Sequence, residues 1–380
     1  MTLDSQETPA AIVDVRKMKK NIAAMQERMN ALGVKFRPHV KTSKCVDVAQ
    51  AQIAAGARGI TVSTLKEAES FFAAGIVDIL YAVSIVPSKL PRVMALRKRG
   101  CDLKIVVDNA SAALGIVEFC KTAGESLEVW IEVDTDGHRS GLKPEEDALL
   151  EIGRILHAGA IKVGGVLTHA GSSYELNTPE ALAALAEQER AGCVRAAQRL
   201  RAAGIPCESV SVGSTPTALA ARSLEGVTEV RAGVYAFFDL VMHNVGVCAI
   251  DDIALSVLTT VIGHQEDKSW VIVDAGWMAM SRDRGTSKQS RDFGYGLPCT
   301  LDGTPLDGYL MIGANQEHGI LAPVDAGHAR EHVDLKARFP IGSRLRILPN
   351  HACATGAQFP EYHALQATGE LAVWSRLHGW

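Results

Sequence analysis

The sequence predicts a (β/α)8 TIM-type barrel followed by a β-rich C-terminal domain. Three observations carry that prediction. Eight β-rich runs alternate with helical patterns up to about residue 247, the rhythm of a parallel sheet built with crossover helices. Several of those runs are nearly continuous in apolar residues, as in Lys104-Ile105-Val106-Val107 and Ile79-Leu80-Tyr81-Ala82-Val83, which is how strands buried on both faces read. Near residue 248 the helical periodicity fades and strand-like runs punctuated by Gly, Pro and Asp take over. A doubly wound open sheet shares the alternation, and strand counting alone leaves it open.

The elements follow in order. Asp14 is a helix N-cap; Met18, Ile22, Met25, Met29 and Leu32 recur at spacings of three and four along one helical face, and Gly33 stops it. Strands are expected at 36–41, 59–63, 78–83, 103–107, 127–133, 163–169, 208–212 and 228–232. Helices are expected near 44–55, 65–74, 88–98, 109–122, 145–158, 178–203 and 215–222. The barrel domain should span 9–247. The β-rich domain, 248–380 with the first few N-terminal residues, carries runs at Ile253–Ile262, Trp270–Val273, Tyr309–Ile312, Arg344–Leu348 and Leu371–Ser375.

Composition narrows the function. The chain has 380 residues, 47% apolar and 22% charged, with a formal net charge of −4. That balance carries no nucleic-acid footprint. No apolar run approaches the roughly 18 residues of a membrane span. The polar, acidic start Met1 to Thr8 does not read as a signal peptide. Eight cysteines are scattered with no CxxC pair, which predicts reduced thiols in a cytoplasmic protein.

In a barrel of this kind, chemistry gathers at the carboxyl ends of the strands. Arg37-Pro38-His39-Val40-Lys41-Thr42 ends the first strand in a lysine. Desolvation there favours a free, nucleophilic amine, the requirement for a Schiff base; a surface lysine is the plain alternative. Val212-Gly213-Ser214-Thr215-Pro216-Thr217 joins a strand to a helix. Its small residues and hydroxyls suit a phosphate, and equally suit an ordinary N-capped turn. Arg231-Ala232-Gly233-Val234-Tyr235 follows the last strand, so the two segments occupy the places where barrels often bind phosphate. The loop Asp134-Thr135-Asp136-Gly137-His138-Arg139 offers one guanidinium, for a phenolate or carboxylate or for solvent. His351-Ala352-Cys353 ends a strand of the second domain. On an extended chain both side chains face one side, and together they suit a borderline divalent ion such as zinc. His318 is a further candidate site group.

These residues, with Thr8-Pro9-Ala10-Ala11-Ile12-Val13-Asp14, Thr168-His169-Ala170-Gly171, Val273-Asp274-Ala275-Gly276 and Gln316-Glu317-His318-Gly319 in the same order, run through nearly the whole chain. In that order the chain resembles the fold-type III pyridoxal phosphate enzymes, whose barrel is that of alanine racemase. It is similar to the branch containing the D-serine dehydratases and D-threonine aldolases.

The resemblance implies roles. Lys41 would hold pyridoxal 5'-phosphate as a Schiff base and act as acid and base at Cα. Gly213, Ser214, Thr215, Gly233, Val234 and Tyr235 would bind its phosphate. Arg139 would approach its phenolic oxygen, His169 would pack by its ring, and Tyr174 would lie near. His351 and Cys353 would bind a divalent metal: zinc, or manganese, cobalt or magnesium in its place. The implied activity is dehydration of a 3-hydroxy-D-amino acid, D-threo-3-hydroxyaspartate to oxaloacetate and ammonia or D-serine to pyruvate and ammonia, by a homodimer. The alternatives are retro-aldol cleavage to glycine and an aldehyde, a racemase, and a non-catalytic cofactor-binding protein. Aldolases more often carry a carboxylate at the second metal position, so Cys353 favours the dehydratase. Two departures from the family pattern, Ser43 for a second His and the apolar Trp277-Met278-Ala279-Met280, touch substrate choice more than reaction type. Lys44 is the local rival of Lys41, but it lies beyond the strand end and should point elsewhere.

Overall fold

The computed structural model describes residues 1–324 and 334–380. The chain divides into two compact units, Ala23–Gly233 with the last two residues, and Met1–Ile22 with Val234–His378. The elements of the first half are β1 (Ala10–Asp14), α1 (Val15–Ala31), β2 (Lys35–Phe36), α2 (Val46–Ala54), β3 (Ile60–Val62), α3 (Leu65–Ala73), β4 (Asp78–Ser84) and α4 (Leu90–Lys98). Then come β5 (Asp102–Val107), α5 (Ala110–Ala123), β6 (Glu128–Val133), α6 (Asp147–Ala158), β7 (Lys162–Thr168), α7 (Pro179–Ala202), β8 (Ser209–Val212), α8 (Thr215–Ala220) and β9 (Glu229–Val230).

The first unit holds an eight-stranded parallel sheet in the order β2-β9-β8-β7-β6-β5-β4-β3. A parallel bridge between His39 and Thr61 joins the two end strands, supported by Val40 N–H donating to the Thr61 carbonyl at 2.9 Å. The sheet therefore closes on itself, and the open-sheet alternative falls away. Closure also explains the brevity of β2. Pro38 has no N–H to give a ladder, so the strand lapses at 37–38 and resumes as the single bridge at His39. The interior packs Leu80, Val106, Trp130 and Leu167 against one another, one residue from each of four neighbouring strands, the layered filling of a barrel. Asp14 caps α1 as expected, its Oδ1 accepting from Arg16 N–H at 2.9 Å and Lys17 N–H at 3.1 Å.

The second unit continues with α9 (Leu240–Val245), β10 (Leu255–Gln265), β11 (Trp270–Val273), α10 (Trp277–Met280), β12 (Leu297–Cys299), β13 (Tyr309–Ala314) and β14 (Gly319–Pro323). It ends with α11 (Leu335–Arg338), β15 (Arg344–Leu348), α12 (Ala352–Gly356), β16 (Glu361–Leu365) and β17 (Leu371–Ser375). Its sheet runs β13-β14-β11-β10-β1-β16-β17, with β15 pairing both β10 and β12. β1 enters the centre of this sheet, antiparallel to β10 at Ala10↔Leu258 and parallel to β16 at Ile12↔His363. All five of its residues are buried, which is why an alternating pattern is missing from 10–14. The core of the unit gathers Val257, Val261, Val271, Tyr309, Met311 and Ile347.

Candidate active site

The barrel rim collects titratable groups that the chain keeps far apart in sequence. Lys41 is half-buried in the turn after β2. Its backbone N–H approaches His39 Nδ1 at 3.4 Å. His39 is held well below its ordinary range, first by burial and then by the positive charges of Lys41, Arg231, His169 and Arg139. His169, at the end of β7, is pushed down to about 3 by burial and by Lys41 and Arg139. Its Nδ1 lies 3.0 Å from the Gly213 carbonyl. A carbonyl only accepts, so Nδ1 carries the proton and Nε2 presents a lone pair. Tyr174 lies beside it, with ring centroids 6.1 Å apart. These two imidazoles stay neutral among cations, and five of the groups named here act on one another electrostatically.

Arg139 is exposed on the loop after β6. The loop is ordered by Asp134, whose Oδ1 accepts from Gly137 N–H at 2.8 Å, and by Asp136, whose Oδ2 accepts both the N–H and the hydroxyl of Ser172. It is thus tied to the loop after β7. Arg139 also bears on Glu132, which burial raises and Arg139 lowers. Lys44 is committed elsewhere, paired with Glu67 at 2.9 Å.

The β8–α8 turn is more specific than its composition suggested. Gly213 has φ +130, and a Cβ there would come within 2.1 Å of the Arg231 carbonyl. Only glycine fits both constraints. Its N–H donates to Glu189 Oε1 at 3.0 Å, so Gly213 supplies space and not a free donor. Ser214 and Thr217 form a capping box, and the Ser214 hydroxyl also meets Ser173 Oγ at 2.8 Å. Thr215 differs from its neighbours: its hydroxyl oxygen is buried with no hydrogen-bond partner among the described residues. A buried hydroxyl without a partner is costly, and a phosphate oxygen would satisfy it. α8 has only six residues, so the cradle rests on this hydroxyl and on close backbone approach more than on a helix dipole. At Gly233 a Cβ would meet the His39 carbonyl at 3.0 Å and Thr42 Oγ1 at 3.3 Å. Val234 and the fully buried Tyr235 follow it in a single helical turn. The donors and the space fit a phosphate ester, and with Lys41 they fit pyridoxal phosphate.

The other unit holds a second cluster. His351 caps α12 and Cys353 lies in its first turn. The pair therefore converges through a helix start, not through the strand alternation expected from the sequence. His351 Nδ1 is 2.6 Å from Asp283 Oδ2, which leaves Nε2 for a metal. Burial opposes the charged imidazole, but Asp283 and the hydrogen-bonded Cys353 outweigh it and raise its pKa to about 11. A metal at Nε2 would take the place of that proton. Asp239 Oδ2 accepts Ala352 N–H at 2.9 Å and its Oδ1 accepts Met242 N–H at 2.9 Å. Asn350 donates to the Gly294 carbonyl at 2.7 Å. Together they fix the turn that carries the pair. Among the described residues no group of three or more His, Cys, Asp and Glu converges as a metal cage. His351 and Cys353 would thus act as two protein ligands, with the remaining positions open to oxygen donors.

His318 is exposed in the β13–β14 turn, where its carbonyl accepts Asn315 N–H at 2.8 Å. Among the described residues, no contact joins it to either cluster. The sequence reading gave no role to His39, Glu189, Asp239 or Asp283, and it named Arg231 only within the segment that follows the last strand. His39 lies two residues before Lys41 in an extended run and was findable on that spacing. Glu189 and Asp283 resemble ordinary surface acids in sequence, and nothing local marks them.

Residues 13–241 match the family described as alanine racemase, N-terminal domain, and residues 254–365 match the "Putative serine dehydratase domain". The chain is 67% identical over 380 residues to D-threo-3-hydroxyaspartate dehydratase of Delftia sp. (strain HT23), covering 100% of this chain and 99% of that protein. A solved D-threo-3-hydroxyaspartate dehydratase with the change C353A, in the metal-free form, superposes with TM-score 0.98 at 67% identity and full coverage of both chains. An H351A form superposes with TM-score 0.98 at 67% identity, over 100% of this chain and 97% of that one.

Proposed function

This chain belongs to the alanine racemase N-terminal domain family, and we propose that within it the chain is a pyridoxal phosphate- and divalent metal-dependent ammonia-lyase. Its substrate would be a 3-hydroxy-D-amino acid, D-threo-3-hydroxyaspartate giving oxaloacetate and ammonia, with D-serine as a secondary substrate. One observation carries the reading. His351 is paired with a thiol and backed by Asp283, in a chain 67% identical over its length to a dehydratase whose solved forms include changes of the same residue types at the same numbers.

The residue roles follow from chemistry. Lys41 would anchor the cofactor. Thr215 would donate to its phosphate, with Ser214 and the Gly233–Tyr235 segment around it and Gly213 clearing the approach. His169 and Tyr174 would flank its ring, and Arg139 would face its phenolic oxygen. The metal would sit on His351 and Cys353. When bound, the cofactor supplies a sink for the electron pair left at Cα, and the metal supplies a Lewis acid for the departing 3-hydroxyl. Lys41 takes the Cα proton. His169 stays neutral, with its Nδ1–H held by the Gly213 carbonyl, so it would pack beside the ring without adding charge. The released enamine tautomerises and hydrolyses in water to the 2-oxo acid and ammonia. The cofactor would belong to a 9–247 barrel domain and the metal to a 248–380 β-rich domain. Zinc suits a His–Cys pair, eight cysteines outside any disulfide suit a reducing cytoplasm, and a homodimer is the expected assembly.

Product analysis tests the reading. Incubated with zinc and D-threo-3-hydroxyaspartate, the enzyme should release ammonia and oxaloacetate in equal amounts. Glycine and glyoxylate instead would assign it to retro-aldol cleavage. Lys41→Ala should abolish covalent cofactor attachment after borohydride reduction, read by intact mass. Attachment retained in that variant would remove Lys41 from its role.

A further inference from the structure

Glu189 is the most unusual acid in the barrel unit. It sits within α7, a 24-residue helix, and is 1% exposed. Its neighbours on the same buried face are Leu182, Leu185, Ala186, Cys193, Ala196 and Ala197. An apolar residue at 189 would seal helix against sheet at less cost, because a buried carboxylate without a cationic partner carries a large desolvation penalty. Among the described residues no close ion pair reaches Glu189, and the Arg231 charge acts on it only from beyond contact distance. What the carboxylate does hold is backbone. Oε1 accepts Ala170 N–H at 2.9 Å and Gly213 N–H at 3.0 Å, and the Thr217 side chain also hydrogen-bonds it. Ala170 follows His169, and Gly213 precedes Ser214 and Thr215. The Gly213 carbonyl in turn accepts from His169 Nδ1 at 3.0 Å. A closed ring of hydrogen bonds thus runs from Glu189 through Ala170, His169 and Gly213 back to Glu189.

We propose that Glu189 is a positioning residue that fixes the spacing between the loops after β7 and β8, and through it the alignment of the phosphate cradle with the His169 ring. The proposal rests on the cofactor assignment made above. Glu189 would act on the cofactor only through the backbone groups it holds. It holds the turn at Gly213, whose backbone conformation glycine alone adopts, and so holds the Thr215 hydroxyl on the next residue but one.

The test compares pyridoxal phosphate with pyridoxal, which lacks the phosphate. Dissociation constants for both are measured by visible absorbance on the metal-loaded, cofactor-stripped full chain, at a temperature where each variant gives a native circular dichroism spectrum. Glu189→Ala should weaken pyridoxal phosphate about 10- to 100-fold, as two buried backbone hydrogen bonds are lost, and weaken pyridoxal several-fold less. Glu189→Gln keeps a carbonyl oxygen for the two N–H groups, so it should stay within about threefold of the parent for both. A general packing role would lower the melting temperature of Glu189→Ala and leave the ratio of the two constants unchanged; that outcome overturns the proposal. So does a Glu189→Gln variant that binds pyridoxal phosphate more than about tenfold more weakly than the parent, a result that needs no folded Glu189→Ala. If the unaltered chain binds no pyridoxal phosphate, the cofactor assignment itself fails, which is a separate result.

Discussion

A single hydroxyl gives the sharpest test of the cradle. Thr215 Oγ1 is buried and has no partner among the described residues, so the cofactor-free protein carries a cost that a bound phosphate would remove. Thr215→Val keeps the shape and removes the oxygen. It should stabilise the cofactor-free protein by about 1 kcal/mol and weaken pyridoxal phosphate about tenfold, read by urea unfolding and by cofactor titration. Opposite signs from one substitution are what a ligand-directed hydroxyl predicts; a loss of both would make Thr215 a packing residue. His169 adds a pH signature. It titrates near 3 in the folded protein because burial and the charges of Lys41 and Arg139 disfavour its proton, against about 6.5 unfolded. Between those values the unfolded chain holds the extra proton. Stability from this residue is therefore complete above about pH 6.5 and is lost as pH falls toward 3. His169→Asn should make the acid limb shallower by up to about 1.4 kcal/mol per pH unit, measured from urea midpoints of the cofactor-free protein.

At the scale of elements, the parts legible in sequence were those fixed by local pattern. All eight barrel strands and the helices between them appear close to where apolar runs and helical spacing put them, because from β3 to β9 each strand pairs with the next one in sequence. β1, β12, β14 and β16 were not legible. They are five residues or fewer and exist through partners distant in sequence, as when Val13 pairs Leu255 on one side and Ala364 on the other. The site divides in the same way. Lys41 at a strand end and His351 with Cys353 stand out by residue type. Asp283 does not, since its meaning comes from a contact 68 residues away. That contact makes a prediction about the loop and α12 together. A carboxylate that fixes the imidazole and raises its basicity strengthens a metal ligand. Asp283→Ala should lower zinc affinity about 10- to 100-fold, read by competition with a chromophoric chelator. Unchanged affinity would leave Asp283 no part in holding the ion.

At the largest scale, the barrel unit is threaded by a chain of paired charge, exposed at Asp102 and buried at Arg37, Glu229 and Arg231, that no local pattern announces. Asp102 and Asp78 both pair with Lys104 at 2.6 Å, Asp78 pairs with Arg37 at 2.7 Å, and Arg37 pairs with Glu229 at 2.8 Å. Glu229 accepts from the Ser211 hydroxyl at 2.9 Å, and Arg231 donates to that hydroxyl at 2.6 Å. Side chains from β5, β4, β2's end, β9 and β8 are therefore coupled across the barrel, ending at the arginine whose charge reaches His39 and His169. Arg37 is the hub, with 3% of its side chain exposed. Burial would raise the Asp78 carboxyl, but the hydrogen bonds and charge of Arg37, then of Lys104, hold it below its ordinary value of 3.8. Asp78 thus contributes stability that is present above about pH 4 and lost as pH falls through its depressed pKa. Arg37→Met fills similar space and, among the described residues, leaves Glu229 with the Ser211 hydroxyl and Asp78 with Lys104 and the more distant Arg58. The loss at neutral pH should be about 3–5 kcal/mol, the cost of stranding buried charge. It should shrink in acid, because protonating the carboxylates removes the charge that Arg37 was compensating. Urea unfolding of the parent and Arg37→Met at pH 7 and below pH 4 reads both numbers. A difference that does not narrow in acid would make Arg37 a spacer whose loss acts through packing, and the chain of charge would then be a set of separate pairs.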